Sequence, residues 1–346
     1  MMARLILSLS CFLIMLAAPI SAQDFEKGIA AYNSGDYATA FKEFKSLADA
    51  GGQSSQYNLG VMYHEGHGVQ QDYVKAVKWY TLAAEQGYAE AQSNLGLMYL
   101  IGQGVPQDYI AAAKWVTLAA EQGYAEAQFN LGLMNENGHG VPQDYVKAVR
   151  WYTLAAEQGD AAAQHNLALM YGHGEGVPQD YSKAEKWFKT AAKQGFLEAQ
   201  WNLGWLYHEG DRFEKDIEQS VVYLRLAAEQ DHAPAQFLLG FINEDVFSEP
   251  WDLIEAHKLY TRSAEQGYIP AQRSLGKMYL NDGWLADDIR MQEVGLMWSV
   301  IAMLQGDESA EFDVSVGESR LSNESIPRVQ IMIDDCFNKK FVGCEN

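Results

Sequence analysis

Apolar and polar positions recur along this chain every 36 residues. Leu59, Leu95, Leu131, Leu167, Leu203, Leu239 and Leu275 mark that step. Three residues before each leucine stands a glutamine, from Gln56 to Gln272, and a glycine follows each leucine except Leu167, which precedes Ala168. Within the copy at 88–123, Ala91, Gln92, Leu95, Gly96 and Tyr99 share one helical face, which predicts a first helix over Tyr88–Leu100. A turn follows at Gly102-Gln103-Gly104-Val105-Pro106, whose glycines suit positive φ. A second helix is predicted from Asp108-Tyr109, with Asp108 as N-cap. Its packing stripe is Tyr109, Ala112, Val116, Ala119 and Ala120, with Trp115 beside it and Gly123 just past the helix end. Glycine inside a helix costs about 1 kcal/mol relative to alanine. Its recurrence at the Gly96 phase therefore predicts close approach of another helix backbone. A fixed period of this length means small units that bury their apolar faces only by stacking on neighbours.

The ends depart from the period. Residues 23–51 read as an N-terminal capping helix pair, with Asp36-Tyr37 and Ala40 matching Asp72-Tyr73 and Ala76. Seven repeats follow over 52–306. The fifth and sixth lose the glycine turn, and the seventh carries three extra residues between Tyr279 and Trp298. Residues 307–322 are acidic and serine-containing and are predicted to be a loop; 323–340 suggest a last capping helix.

Residues 1–22 have the form of a secretory signal: Arg4, an apolar run from Leu5 to Ala18, and Ile20-Ser21-Ala22 as the cleavage site. Cleavage after Ala22 leaves no transmembrane segment and implies a periplasmic or secreted protein. The mature chain then has 24 basic and 46 acidic residues, a net charge of −22. Such a surface disfavours nucleic acid and anionic headgroups and keeps a long array soluble and monomeric. Two cysteines remain, Cys336 and Cys344. An even count in an exported chain suggests a disulfide, with free thiols or a metal pair as the alternatives.

The units Ala-x-x-x-Leu-Gly-x-x-Tyr, Gly-x-Gly-Val, Asp-Tyr-x-x-Ala-x-x-Trp-Tyr and Ala-Ala-Glu-Gln-Gly resemble Sel1-like repeats, relatives of tetratricopeptide repeats, over about residues 24–306. The resemblance implies an all-α, right-handed superhelical solenoid of antiparallel helix pairs. It also implies an adaptor or scaffold role in envelope assembly, signalling or host contact. The tail with Ile326, Cys336 and Cys344 is similar to the closing segment of exported bacterial Sel1-like proteins.

In tetratricopeptide relatives the first helices line the concave groove. Here the first-helix phases that vary between copies share one face. They read Tyr57, Val61 and His64; Ser93 and Leu97; Phe129, Leu133 and Glu136; His165 and Leu169; Trp201, Trp205 and His208; Phe237, Phe241 and Glu244; Arg273 and Lys277. Trp201, Trp205, Phe237 and Phe241 would be adjacent in a stacked array, either as an exposed binding cluster or as core. Beside them runs Asn58, Asn94, Asn130, Asn166 and Asn202. Those amides can clamp a bound peptide or bond the neighbouring repeat, and the second role is preferred. The unvarying glutamines read as structural.

The function expected is non-enzymatic binding of a protein or peptide partner, without cofactor. An envelope polysaccharide stacked on the tryptophans is the alternative. β-Lactam binding or hydrolysis, linked to some exported Sel1-like proteins, is a weaker one. The single Ser-x-x-Lys, Ser274-Leu275-Gly276-Lys277, lacks its partner motifs. No Cys-x-x-Cys or His-Glu-x-x-His is present, so neither catalytic nor metal residues are assigned.

Overall fold

The computed structural model describes residues 22–244, 252–281 and 288–345. Residues 1–21, all but the last of the expected signal, together with 245–251, 282–287 and 346, lie outside them. The regular elements among the described residues are α-helices, and the chain falls into two compact blocks that divide between Asp180 and Tyr181.

The first block holds α1 (22–33), α2 (Tyr37–Asp49), α3 (Gln53–Glu65), α4 (Tyr73–Glu85), α5 (Ala89–Ile101), α6 (Tyr109–Glu121), α7 (Ala125–Asn137), α8 (Tyr145–Glu157) and α9 (Ala161–His173). Each of Asp36, Asp72, Asp108 and Asp144 caps a second helix by accepting from a backbone N–H in its first turn. First helices end on a glycine in the left-handed region, as at Gly66, Gly102 and Gly138. Gly96 meets the second helix closely: a Cβ there would lie 2.5 Å from Val116 and 3.2 Å from the Ala112 carbonyl oxygen. The mid-helix glycine is therefore what lets the two helices of one repeat touch. Successive repeats interlock through tryptophan. Trp115 of α6 packs on the core of α4 and α5, and Trp151 of α8 on that of α6 and α7.

The glutamine ladder is structural. Gln92 donates to the Ala84 carbonyl of the preceding repeat (3.0 Å) and accepts from Gln122 at the end of its own second helix (2.7 Å). Gln128 repeats this with Ala120 (3.2 Å) and Gln158 (2.7 Å). One buried amide thus satisfies a helix-terminal carbonyl and ties three successive helices, which explains why it never varies. Gln128→Leu should cost about 1 kcal/mol, because Ala120 keeps its bond from the Gly123 N–H but loses the second one and Gln158 loses its acceptor, read as a lower urea midpoint. An unchanged midpoint would rule out this role.

The second block holds α10 (Tyr181–Lys193), α11 (Leu197–Glu209), α12 (Ile217–Glu229), α13 (Ala233–Glu244), α14 (Leu253–Glu265), α15 (Ile269–Asn281), α16 (Ile289–Leu304), α17 (Ala310–Arg320) and α18 (Ile326–Asn338). The relay continues through Gln200, Gln236 and Gln272. Helix α17 corrects the loop expected at 307–322. It is short, and its acidic composition conceals an inward face of Ala310, Asp313, Val314 and Gly317. Asp313 can be buried because Arg273 neutralises it at 2.9 Å. Helix α18 follows, as expected, burying Val329, Ile333 and Cys336. Cys336 and Cys344 form a disulfide, with Cα atoms 4.9 Å apart. Beside it Glu345 accepts from the Tyr279 hydroxyl (2.9 Å) and Trp298 Nε1 (3.2 Å), holding the tail against the seventh helix pair.

Candidate functional site

In the first block the expected stripe is mostly tied into the fold. Tyr57 is half-buried against Tyr80 and Tyr88, with ring centroids 5.9 and 5.2 Å away. Burial pushes the Tyr57 and Tyr80 phenols above their usual range, and the nearby Asn94 amide offsets part of that rise. Asn58 donates to the Ser54 carbonyl at 2.8 Å. Phe129 lies 5.9 Å from Tyr152, whose hydroxyl donates to Glu136, while His165 pairs with Asn166 at 3.1 Å. Asn130, Leu133 and Asn202, the last in the second block, are half-buried, and Ser93 is fully buried. The asparagine amides seen to bond therefore serve the fold. An indentation of about 440 Å³ remains in this block, lined by Tyr57, Val61, His64, Asn94, Leu97 and Gln103 among others.

The second block separates the four aromatic residues. Trp205 and Phe241 stand 42% and 50% exposed. His208 joins them, its ring centroid 6.4 Å from each. Trp201 is half-buried, packed on the α12–α13 core, 5.7 Å from Trp205 and 5.1 Å from His232. Phe237 turns away to Tyr260 (5.8 Å) and Tyr268 (5.5 Å). Two rings thus face solvent and two anchor them. Burial lowers the pKa of His232, so that imidazole is neutral at neutral pH and the floor of the patch is uncharged.

Arg273 does not present a free cation. It pairs with Asp313 at 2.9 Å and lies 3.9 Å from Asp307, because α17 packs across α15. Lys277, one turn on, is half-buried. The Ser274–Lys277 motif is interrupted by core: Leu275 is fully buried, and a Cβ at Gly276 would meet Ser299 and the Gly295 carbonyl of α16. Among the described residues no cluster of His, Cys, Asp and Glu could hold a metal ion. No helix among them is long and apolar enough to cross a membrane.

The Sel1 repeat model matches residues 53–88, 89–124, 125–160, 161–196, 197–232 and 233–268. The chain belongs to the Sel1 repeat family. A protective antigen of uropathogenic Escherichia coli strains with an SLR fold is 34% identical over 92% of this chain and 68% of that one, with a TM-score of 0.79. A Sel1 repeat protein from Oxalobacter formigenes is also 34% identical, over 70% of this chain and 99% of its own, with a TM-score of 0.63. No curated protein matches. The helices α15 and α16 extend the Sel1 array by a seventh pair, with Gly276 against α16 as Gly96 is against α6.

Sel1 repeats are typically non-catalytic scaffolds for protein interaction. Two parts of this Sel1 chain escaped the sequence reading. The second glutamine of the relay, as at Gln122 and Gln158, recurs at the same period and was legible as a ladder of its own. His232 was not, because it stands at the phase of Tyr88, the first residue of the predicted first helix and off the variable stripe; its Nδ1 accepts from the Ala235 N–H (3.2 Å) while its ring floors the patch.

Proposed function

We propose that this Sel1 protein is an exported, non-enzymatic scaffold whose protein partner docks on the aromatic patch of the second block. The observation that carries the reading is the exposure of Trp205 and Phe241 around His208 on a floor of packed rings. Large exposed rings held by a rigid base are the side chains that dominate binding energy at interfaces. The apolar N-terminal segment and the Cys336–Cys344 disulfide support export, since disulfides persist in oxidising compartments.

The structure changes which residues test the site. Trp201 and Phe237 have packing roles, so their loss would confuse binding with stability. Trp205→Ala with Phe241→Ala should leave helix content and melting temperature nearly unchanged. Each should weaken partner binding by about 30-fold, the effect of losing an interface anchor of about 2 kcal/mol. In-cell crosslinking of the mature protein, wild type beside the double variant, provides the readout. A partner captured only by the wild type supports the proposal; equal capture by both forms rejects this site, and capture by neither rejects a protein partner.

A further inference from the structure

The first block carries a second surface, on the outer face of its second helices. Its charges are sorted by element. Of the eight basic residues between 22 and 180, seven lie on α2, α4, α6 and α8, and only Lys27 lies elsewhere, on α1. Four stand in one register, 36 residues apart: Lys42, Lys78, Lys114 and Arg150. All four are exposed, and none has an ion-pair partner among the described residues. Lys114 and Arg150 lie over the rings of Trp115 and Trp151, at 5.4 and 5.8 Å. The other three cations on these helices, Lys45, Lys75 and Lys147, are paired with Asp49, Asp72 and Asp144.

Lys78, Lys114 and Arg150 each have an exposed apolar neighbour one turn before them on the same face. Val74, Ile110 and Val146 are 66%, 75% and 66% exposed. Leu82 and Leu118 continue that face one turn after Lys78 and Lys114. At Ile110, Ala113, Lys114, Leu118 and Val141 the surface forms a shallow apolar hollow of about 410 Å³. Acid is kept to the rims. Asp72, Asp108 and Asp144 open these helices and Glu85, Glu121 and Glu157 close them, about 20 Å apart at 1.5 Å per residue. The cationic and aliphatic strip therefore runs across the repeats between two acidic borders.

We infer that this strip docks an acidic amphipathic α-helix of a partner protein, with glutamate or aspartate every seventh residue and apolar residues between. The turn before each second helix rests on the start of the second helix of the repeat before, Gly104 on Tyr73 and Gly140 on Tyr109, which sets successive second helices about 10 Å apart. A seven-residue step advances a helix by about 10.5 Å and returns to the same face, so its carboxylates keep register with Lys78, Lys114 and Arg150. An extended chain fails this match, because residues three apart point to opposite faces. A flat anionic membrane would press on both acidic rims. An anionic polysaccharide leaves Val74, Ile110 and Val146 without apolar partners.

The test uses the mature protein and a synthetic helical peptide of about 22 residues, long enough to span three repeats, with Glu at every seventh position and Leu on the same face. The control is a scrambled peptide of the same composition. Anisotropy should show binding that weakens roughly tenfold between low and moderate salt, since exposed pairs are screened. The combined variant Lys78→Glu, Lys114→Glu, Arg150→Glu should lose at least tenfold in affinity and gain affinity for the same peptide carrying Lys for Glu. Because the three residues are exposed, its helix signal should match the wild type. The Trp205→Ala, Phe241→Ala protein should bind the acidic peptide normally, which separates this surface from the aromatic patch. Equal binding of the scrambled peptide, or full affinity in the triple variant, overturns the inference. So does binding only to phosphatidylglycerol vesicles or to a polyuronate.

Discussion

Gly140→Ala should destabilise the first block by about 3 kcal/mol or more, while Gly123→Ala should cost only about 1 kcal/mol. Both glycines have positive φ, +72° and +89°, where an L side chain pays of order 1–3 kcal/mol. They differ in what surrounds them. A Cβ at Gly140 would lie 1.8 Å from the Tyr109 carbonyl oxygen and 2.4 Å from its carbon, whereas nothing lies within 4 Å of a Cβ at Gly123. The neighbour at Gly140 is backbone at the start of α6, so no rotamer change relieves the clash; the turn of one repeat must lift off the helix of the one before. Gly104 makes the same approach to Tyr73, and Gly176 to Tyr145. Urea unfolding followed by circular dichroism compares the two variants directly. Equal midpoints would mean that only the φ angle matters and that the turn is not an inter-repeat contact.

Trp298→Ala is expected to cost about 3–5 kcal/mol, the range for truncating a large buried ring. Trp115→Ala, at the same phase of the repeat, should cost distinctly less. The two tryptophans have the same place in their helices. Trp115 is half-buried, whereas Trp298 is fully buried, and its Nε1 donates to Glu345 at 3.2 Å. The disulfide-closed tail, together with α17 and α18, supplies the cover that the next repeat supplies elsewhere. The damage should be local: hydrogen exchange should quicken in α15–α18 and leave α2–α8 protected. If Trp298→Ala is no more harmful than Trp115→Ala, the tail does not act as a cap.

The period, the helix pairs and their caps were legible because each repeat states the same local rules. An aspartate that accepts from first-turn N–H groups, a glycine that takes positive φ and an apolar stripe at helical spacing act within a few residues of themselves. Gly96 was legible for a related reason: a helix-breaking residue retained at one phase implies a close neighbour. The disulfide pairing was available from the cysteine count. The helix α17 was not, since Asp313 reads as a loop residue until Arg273, forty positions earlier, is placed beside it.

The candidate site divides along the same line. Sequence alone determined which first-helix positions vary and that aromatic residues collect in the fifth and sixth repeats. Only the tertiary structure decided which of those rings meet solvent, that Arg273 is already neutralised, and that the asparagines at 58 and 166 bond groups of their own helices. The physical reason is that capping and periodicity are short-range properties of the chain, while exposure and charge pairing depend on what another helix, a repeat or more away, places against each side chain.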